Sequence, residues 1–371
     1  MMTSILHIVE PTLHDEAGHC AALASSLANA AGDAEPHVWM RRDASPGLMP
    51  AGAVEHRVFP ERLRRLGAML VYRRLLERAA AGEPVLLSTA TTSDLVLLDL
   101  ASRTVRGGAI RRGAFVWAFV HWINLSPRKE RLLKRLARRH PGLEIVCSTQ
   151  RVREVFSAAG FARVHMVGYP GVGSGDAPYA GAFRHVLYAG AARRDKGFAA
   201  IVDLVAHLHA TGSSIPITVQ CSPTHRGRHE PGIAADIERM RHLGYGSLTL
   251  LEHTLDGAAY RALFDGAITV QAYDPAAFAD RISGVTLDAL RAGSPIIVPR
   301  GTWLARRIEG FGAGVTLDDP RSPRALAQAV ETIRGAWPEY SAGAARAWAE
   351  TAREDGAGTL VRLVRSGGSR G

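Results

Sequence analysis

Short runs of consecutive apolar residues recur along the chain, separated by stretches with helical spacing of apolar and polar positions. "SILHIVE", "PHVWMRR", "VEHRVF", "PVLLSTA", "AFVWAFV" and "LEIVCST" read as strands, and a helix is predicted over about 19–31. The strands are apolar throughout rather than alternating. Both of their faces must therefore be covered, which predicts a parallel sheet between two layers of helices. The pattern stops in "GYPGVGSGDAPYAGAF", rich in glycine, proline and small residues, and then restarts with "RHVLYAGA", "IPITVQC", "SLTLLEH", "GAITVQAY" and "SPIIVP". A helix over 323–335 and a helical tail follow. The class expected is α/β, with two doubly wound, Rossmann-like domains facing each other across a cleft. Their expected bounds are 1–170 and 185–336, joined by a linker at 171–184. The tail, 337–371, is expected to pack back toward the N-terminal domain. Folds of this kind bind ligands beyond the carboxyl ends of their strands.

Composition narrows the picture. A chain of 371 residues suits two cores, and 47% apolar with 22% charged residues is ordinary for a globular protein. Cys20, Cys147 and Cys221 are far apart and in no metal-ligand spacing, which points to a reducing compartment and away from a zinc site. The opening "MMTSILHIVEP" has no basic leader, and the longest apolar stretch, "GAFVWAFVHWINL", is too short to span a bilayer. A cytoplasmic location is expected. The net charge of +10 implies anionic company. Much of it falls in 61–78 and in "RKERLLKRLARR", where Leu132, Leu133 and Leu136 share one helical face. That helix either packs on the sheet or touches an anionic membrane surface from the cytoplasmic side. Aromatics are 6% and do not interleave with the basic residues, so no nucleic-acid partner is expected.

The candidate chemistry lies in "FADRISGVTLDALRAGSPIIVP", residues 278–299. The preceding strand delivers this segment to the ligand end of its sheet. Ser283 is a plausible N-cap, and Gly284 lets a ligand approach the backbone. The amides of Gly284, Val285 and Thr286 would then face outward with the positive end of the helix dipole, ready for a phosphate. Asp288 lies ~6 Å further along the axis, roughly a pyrophosphate-to-ribose distance, and would accept from vicinal hydroxyls. Asp280 would hold the hydroxyls of an attached sugar. The second element is "HVLYAGAARRDKGF", a strand, a small-residue turn and a basic cluster. There Arg193 and Lys196 stand where paired cations neutralise a diphosphate.

These blocks resemble the nucleotide-sugar domain of the retaining glycosyltransferases of family 4, which have the GT-B fold. "GAARRDKGF" echoes the family's G-R-x-x-x-x-K-G turn, Asp280 through Asp288 its E-x7-E motif, and "DALRAGSPIIV" its E-A-M-A-x-G-x-P-V-V block. The likeness is clear over 186–326 and looser before. It implies that Lys196 binds the donor diphosphate, Asp288 the ribose and Asp280 sugar hydroxyls. The amides of 284–286 would hold phosphate oxygens. Gly18, in "EAGH", would sit opposite the diphosphate, and His121, in "FVHW", would fall near the reacting sugar. Both motif glutamates are aspartates here, and the usual arginine after the strand glycine is Ala191. Arg193 is favoured over Arg194 to replace it.

The activity implied is transfer of a hexose from a nucleoside-diphosphate sugar to an acceptor hydroxyl with retention, in polysaccharide or glycolipid synthesis. The partners implied are that donor and a glycan or lipid-linked acceptor. No cofactor is expected. Nor is a metal, since fixed cations and helix amides would already face the leaving group. A nucleotide-sugar epimerase or a glycan phosphorylase on the same fold is the nearest alternative. A non-catalytic polyanion or membrane binder is the more distant one.

Overall fold

The computed structural model describes residues 4–16, 19–60, 64–105, 116–171, 178–223 and 229–367. The chain forms two compact units, Met1–Gly173 with Glu354–Gly371, and Ser174–Arg353.

In the first unit the strands β1 (Ile5–Val9), β2 (Glu35–Arg41), β3 (Val54–Phe59), β4 (Val85–Leu87), β5 (Val116–Val120), β6 (Glu144–Cys147) and β7 (Val164–Met166) build one sheet. Its order is β3-β2-β1-β4-β5-β6-β7, and every neighbouring pair is parallel. The helices α1 (His19–Asn29), α2 (Arg64–Ala80), α3 (Thr92–Ser102), α4 (Pro127–Arg139) and α5 (Gln150–Ala158) alternate with the strands. β4 and β5 are buried along their whole length, which is why their sequences carry no polar alternation.

Local signals start the helices. Thr91 and Asp94 form a capping box on α3, and Ser126 with Pro127 opens α4. On α4 Leu133, Leu136 and Ala137 are buried and join the core of the first unit, while Arg128, Arg131, Lys134, Arg135 and Arg138 are exposed. The apolar stripe of this basic helix therefore serves the core, and its outer face is charge alone. Among the described residues no helix is long and apolar enough to cross a membrane.

The second unit repeats the plan with β8 (His185–Tyr188), β9 (Ile217–Gln220), β10 (Leu248–Leu251), β11 (Ala267–Val270), β12 (Ile296–Pro299) and β13 (Gly314–Leu317). Their order is β10-β9-β8-β11-β12-β13, again parallel throughout. The helices are α6 (Phe198–Ala210), α7 (Ile233–His242), α8 (Gly257–Ala262), α9 (Gly284–Arg291), α10 (Trp303–Ile308), α11 (Pro323–Gly335) and α12 (Trp337–Arg353). Two doubly wound, Rossmann-like sheets are thus present, as the apolar blocks predict.

The tail divides. α12 packs on α9 and α10, and its Trp337 donates to the Gly181 carbonyl at 2.9 Å. At Gly343 a Cβ would lie 2.2 Å from the Gly312 carbonyl oxygen, so α12 lies close against that turn. The chain joins the first unit only from Glu354, later than the expected start at 337. There α13 (Gly356–Gly367) packs on α1, and Arg365 pairs with Asp33 at 2.5 Å.

Candidate functional site

In the second sheet β8 has β9 on one side and β11 on the other. Connections leave in opposite directions at such a point, and the loops beyond the strand ends part to leave a crevice. The loops after β8 and β11 are those that the sequence marks.

After β8 the chain turns at Gly190, whose φ is 97° and whose amide donates to the Gln220 side-chain oxygen at 2.6 Å. Arg194–Lys196 then makes one 3-10 turn, closed by Gly197. Gly197 has a φ of 70°, and a Cβ there would lie 1.8 Å from the Ala272 carbonyl oxygen. Only glycine fits. The Asp274 amide also donates to the Asp195 carbonyl at 2.9 Å. The basic turn is therefore pressed against the loop that follows β11.

Lys196 is half-buried, with its Nζ 5.8 Å from the Tyr273 ring centroid. A Cβ on Gly190 would meet that Nζ at 3.2 Å and Val285 Cγ2 at 3.6 Å, so the glycine turn, the ammonium and the first turn of α9 converge. Burial pushes the Lys196 ammonium down to about 8, and the Arg193 charge adds to that push, while Asp195 opposes it. Arg193 donates to Asp195 Oδ2 at 2.5 Å and stands 3.8 Å from Glu230. Arg281 donates to the same Asp195 oxygen at 3.1 Å and lies over the Phe278 ring at 4.8 Å. Arg194 turns away, is exposed, and donates to the Pro231 carbonyl.

On the facing loop Ser283 caps α9, and its side chain accepts from the Thr286 amide. This corrects one expectation. The Thr286 amide is taken by Ser283, at 3.4 Å to Oγ and 3.2 Å to the carbonyl oxygen, because an N-cap serine engages the third helical residue. Among the described residues no acceptor meets the Gly284 or Val285 amide. The Thr286 hydroxyl is also engaged, donating to Gln271 at 2.6 Å.

Asp288, one turn further on, is half-buried and accepts from the Tyr260 hydroxyl at 3.2 Å. Burial raises its carboxyl to about 6, against the Tyr260 hydrogen bond, which favours the ionised form. Lys196 and Asp288 bear on each other electrostatically, so they share the carboxyl end of this sheet. Asp280 instead pairs with Arg306 of α10 at 2.7 Å, and Arg306 also donates to the Ala279 carbonyl. That oxygen of Asp280 is already engaged.

Two predicted residues belong to the first unit. His121 follows β5, with its ring 5.1 Å from that of Tyr169. Gly18 lies outside the described residues. The residues that sequence reasoning missed are Asp195, Arg281 and Tyr260. Asp195 and Arg281 are embedded in the quoted motifs, but nothing in the spacing says that they meet. Tyr260 sits in "LDGAAYRALF", which carries no motif signal.

No protein-family model matches the chain, and no curated protein matches it in sequence. Solved structures do match in fold. HepE of Anabaena, in complex with UDP and glucose, superposes with a TM-score of 0.68 at 15% identity, over 99% of this chain and 100% of that one. Sucrose-phosphate synthase from Thermosynechococcus elongatus gives 0.69 at 14% identity, over 98% of each chain. WaaG, a glycosyltransferase involved in lipopolysaccharide biosynthesis, gives 0.63 at 12% identity, over 97% of this chain and 99% of that one. Identities this low carry the fold alone, and that fold is GT-B, with two Rossmann-like domains.

Proposed function

We propose that this chain is a glycosyltransferase that takes a nucleoside-diphosphate sugar and moves the sugar to an acceptor hydroxyl with retention at the anomeric carbon. The observation that carries the reading is the meeting of Lys196, Arg193 and the amino end of α9 at the β8/β11 crevice, with Asp288 one helical turn away. A diphosphate fits between the cations and the Gly284 and Val285 amides, and the ribose hydroxyls fit Asp288. HepE, of the same fold, holds UDP and glucose, which supports this choice of ligand.

Cleaving the bond from the sugar to the diphosphate leaves positive charge on the anomeric carbon and negative charge on the departing phosphate. Fixed cations aimed at that phosphate stabilise the transition state more than the ground state, and the reading needs no metal. Asp280, held by Arg306, would face the sugar hydroxyls, as the resemblance implies. His121 keeps the role that the resemblance implies. A lipid-linked or glycan acceptor is supported by the exposed cations of α4, which would meet an anionic surface through charge alone.

The test is a thermal-shift screen against UDP-, GDP-, ADP- and TDP-sugars, since a ligand bound only by the native state raises the melting temperature. At least one should do so. Lys196→Ala should weaken it by about 1.5–3 kcal/mol, roughly ten- to a hundredfold. Transfer is then followed by NMR of the anomeric proton, with lipid-linked acceptor in anionic vesicles alongside free glycans. Failure of every sugar nucleotide to bind, or an inverted product, would sink the proposal. Change in the donor without any acceptor would favour an epimerase.

A further inference from the structure

Asp195 joins the loops that follow β8 and β11. Its Oδ2 receives Arg193 at 2.5 Å and Arg281 at 3.1 Å, while its Oδ1 is buried without a hydrogen-bond partner. The two arginines come from different loops, one after β8 and one after β11. Arg281 stands two residues before Ser283, so it connects the basic turn to the amino end of α9. Three cations thus gather around one shared carboxylate, with Glu230 at the outer edge of Arg193. Like charges brought together in a partly buried place repel, and both Lys196 and Arg281 show it. Burial lowers each pKa, and the Arg193 charge lowers each further, against Asp195. An arrangement that strains its own cations in this way suits an anion that arrives from outside.

We infer that Arg281 is a third cation for the donor diphosphate, beside Lys196 and Arg193, and that Asp195 is the positioning residue that aims Arg193 and Arg281 together. The inference rests on the proposed donor site and deepens it. Arg281 supplies a planar fork of donors to phosphate oxygens, where Lys196 supplies a point charge. Asp195 touches no ligand; its fixed carboxylate keeps two long side chains from swinging into solvent.

The experiment compares the nucleoside diphosphate found by the screen with its own monophosphate, by calorimetry on the full chain. Arg281→Gln should weaken the diphosphate at least about tenfold and the monophosphate less than about twofold. Arg281→Lys should recover part of the loss. Asp195→Asn makes the crevice more positive, so a merely neutralising Asp195 predicts tighter diphosphate binding and a positioning one predicts weaker binding; we expect weaker. Equal losses for both nucleotides, or none, would overturn the role of Arg281, and tighter binding by Asp195→Asn would overturn that of Asp195. If the unaltered protein binds no nucleoside diphosphate at all, this inference and the proposed function fall together. If it binds one and Arg281→Gln matches it, only the inference falls.

Discussion

Each unit has one place where its strand order reverses, between β1 and β4 in the first and between β8 and β11 in the second. The two are filled in opposite ways. At the first, Glu10 is fully buried just beyond β1. Its Oε1 accepts from the Thr12 hydroxyl at 2.7 Å and the Thr12 amide at 3.3 Å, and its Oε2 from Ser88 at 2.9 Å and Thr89 at 2.5 Å. A carboxylate has about four lone-pair sites, and here the chain fills them all. At the second, Asp288 has one hydroxyl partner and remains half-exposed, while among the described residues the Lys196 ammonium meets no acceptor. Two acids, each at the switch point of its own sheet but on opposite sides of it, are therefore used differently. One knits loops, and the other keeps acceptor sites that the described residues do not fill.

The largest effect that would sharpen this contrast is on stability. Glu10→Ala takes this acceptor from two threonine hydroxyls and an amide and leaves Ser88 only the Val9 carbonyl, and we expect a loss of about 3 kcal/mol in urea unfolding. Asp288→Asn should not lower stability near neutral pH, since it removes a carboxylate that burial disfavours, and should weaken the sugar nucleotide by roughly tenfold. A reversal of these two results would break the comparison.

The smallest effect is a shift in pH dependence. Because Asp288 is raised to about 6, the native state still holds a proton that the unfolded chain has released over the window from its ordinary value of 3.8 up to 6. Its contribution to stability accordingly falls as pH rises through that window. The ionised carboxylate accepts from hydroxyls more strongly than the protonated carboxyl, so donor affinity should climb through the same window. It should decline above about 8 as Lys196 loses its proton, unless the bound diphosphate holds that proton on. Tyr260→Phe removes a hydrogen bond to the carboxylate and should move the rising limb up by roughly half a pH unit. An unmoved limb in calorimetric titrations would show that the hydroxyl does not act on Asp288.

Much of this was legible along the chain. Strands covered on both faces announce themselves as unbroken apolar runs, and the order of "GAARRDKGF" and "DRISGVTLD" places both loops at one end of a sheet. What escaped depends on distance through space. Asp195 and Arg281 are 86 residues apart, and Tyr260 is 28 from Asp288, so no local pattern links them. The Thr286 amide is a different failure. The N-cap rule that identified Ser283 also says which amide its hydroxyl takes, and applying it fully would have removed Thr286 from the phosphate donors. The basic helix α4 escaped for a third reason, since an apolar stripe looks the same whether it meets a core or a lipid.

Gly197 shows how such a crevice is gauged. Its bare α-carbon lets the backbone after β8 rest on Ala272, so the spacing between the two loops is set by a spacer of zero thickness. A single added methyl would act as a shim, pushing the cationic turn away from the loop that faces it without deleting any charged or polar group.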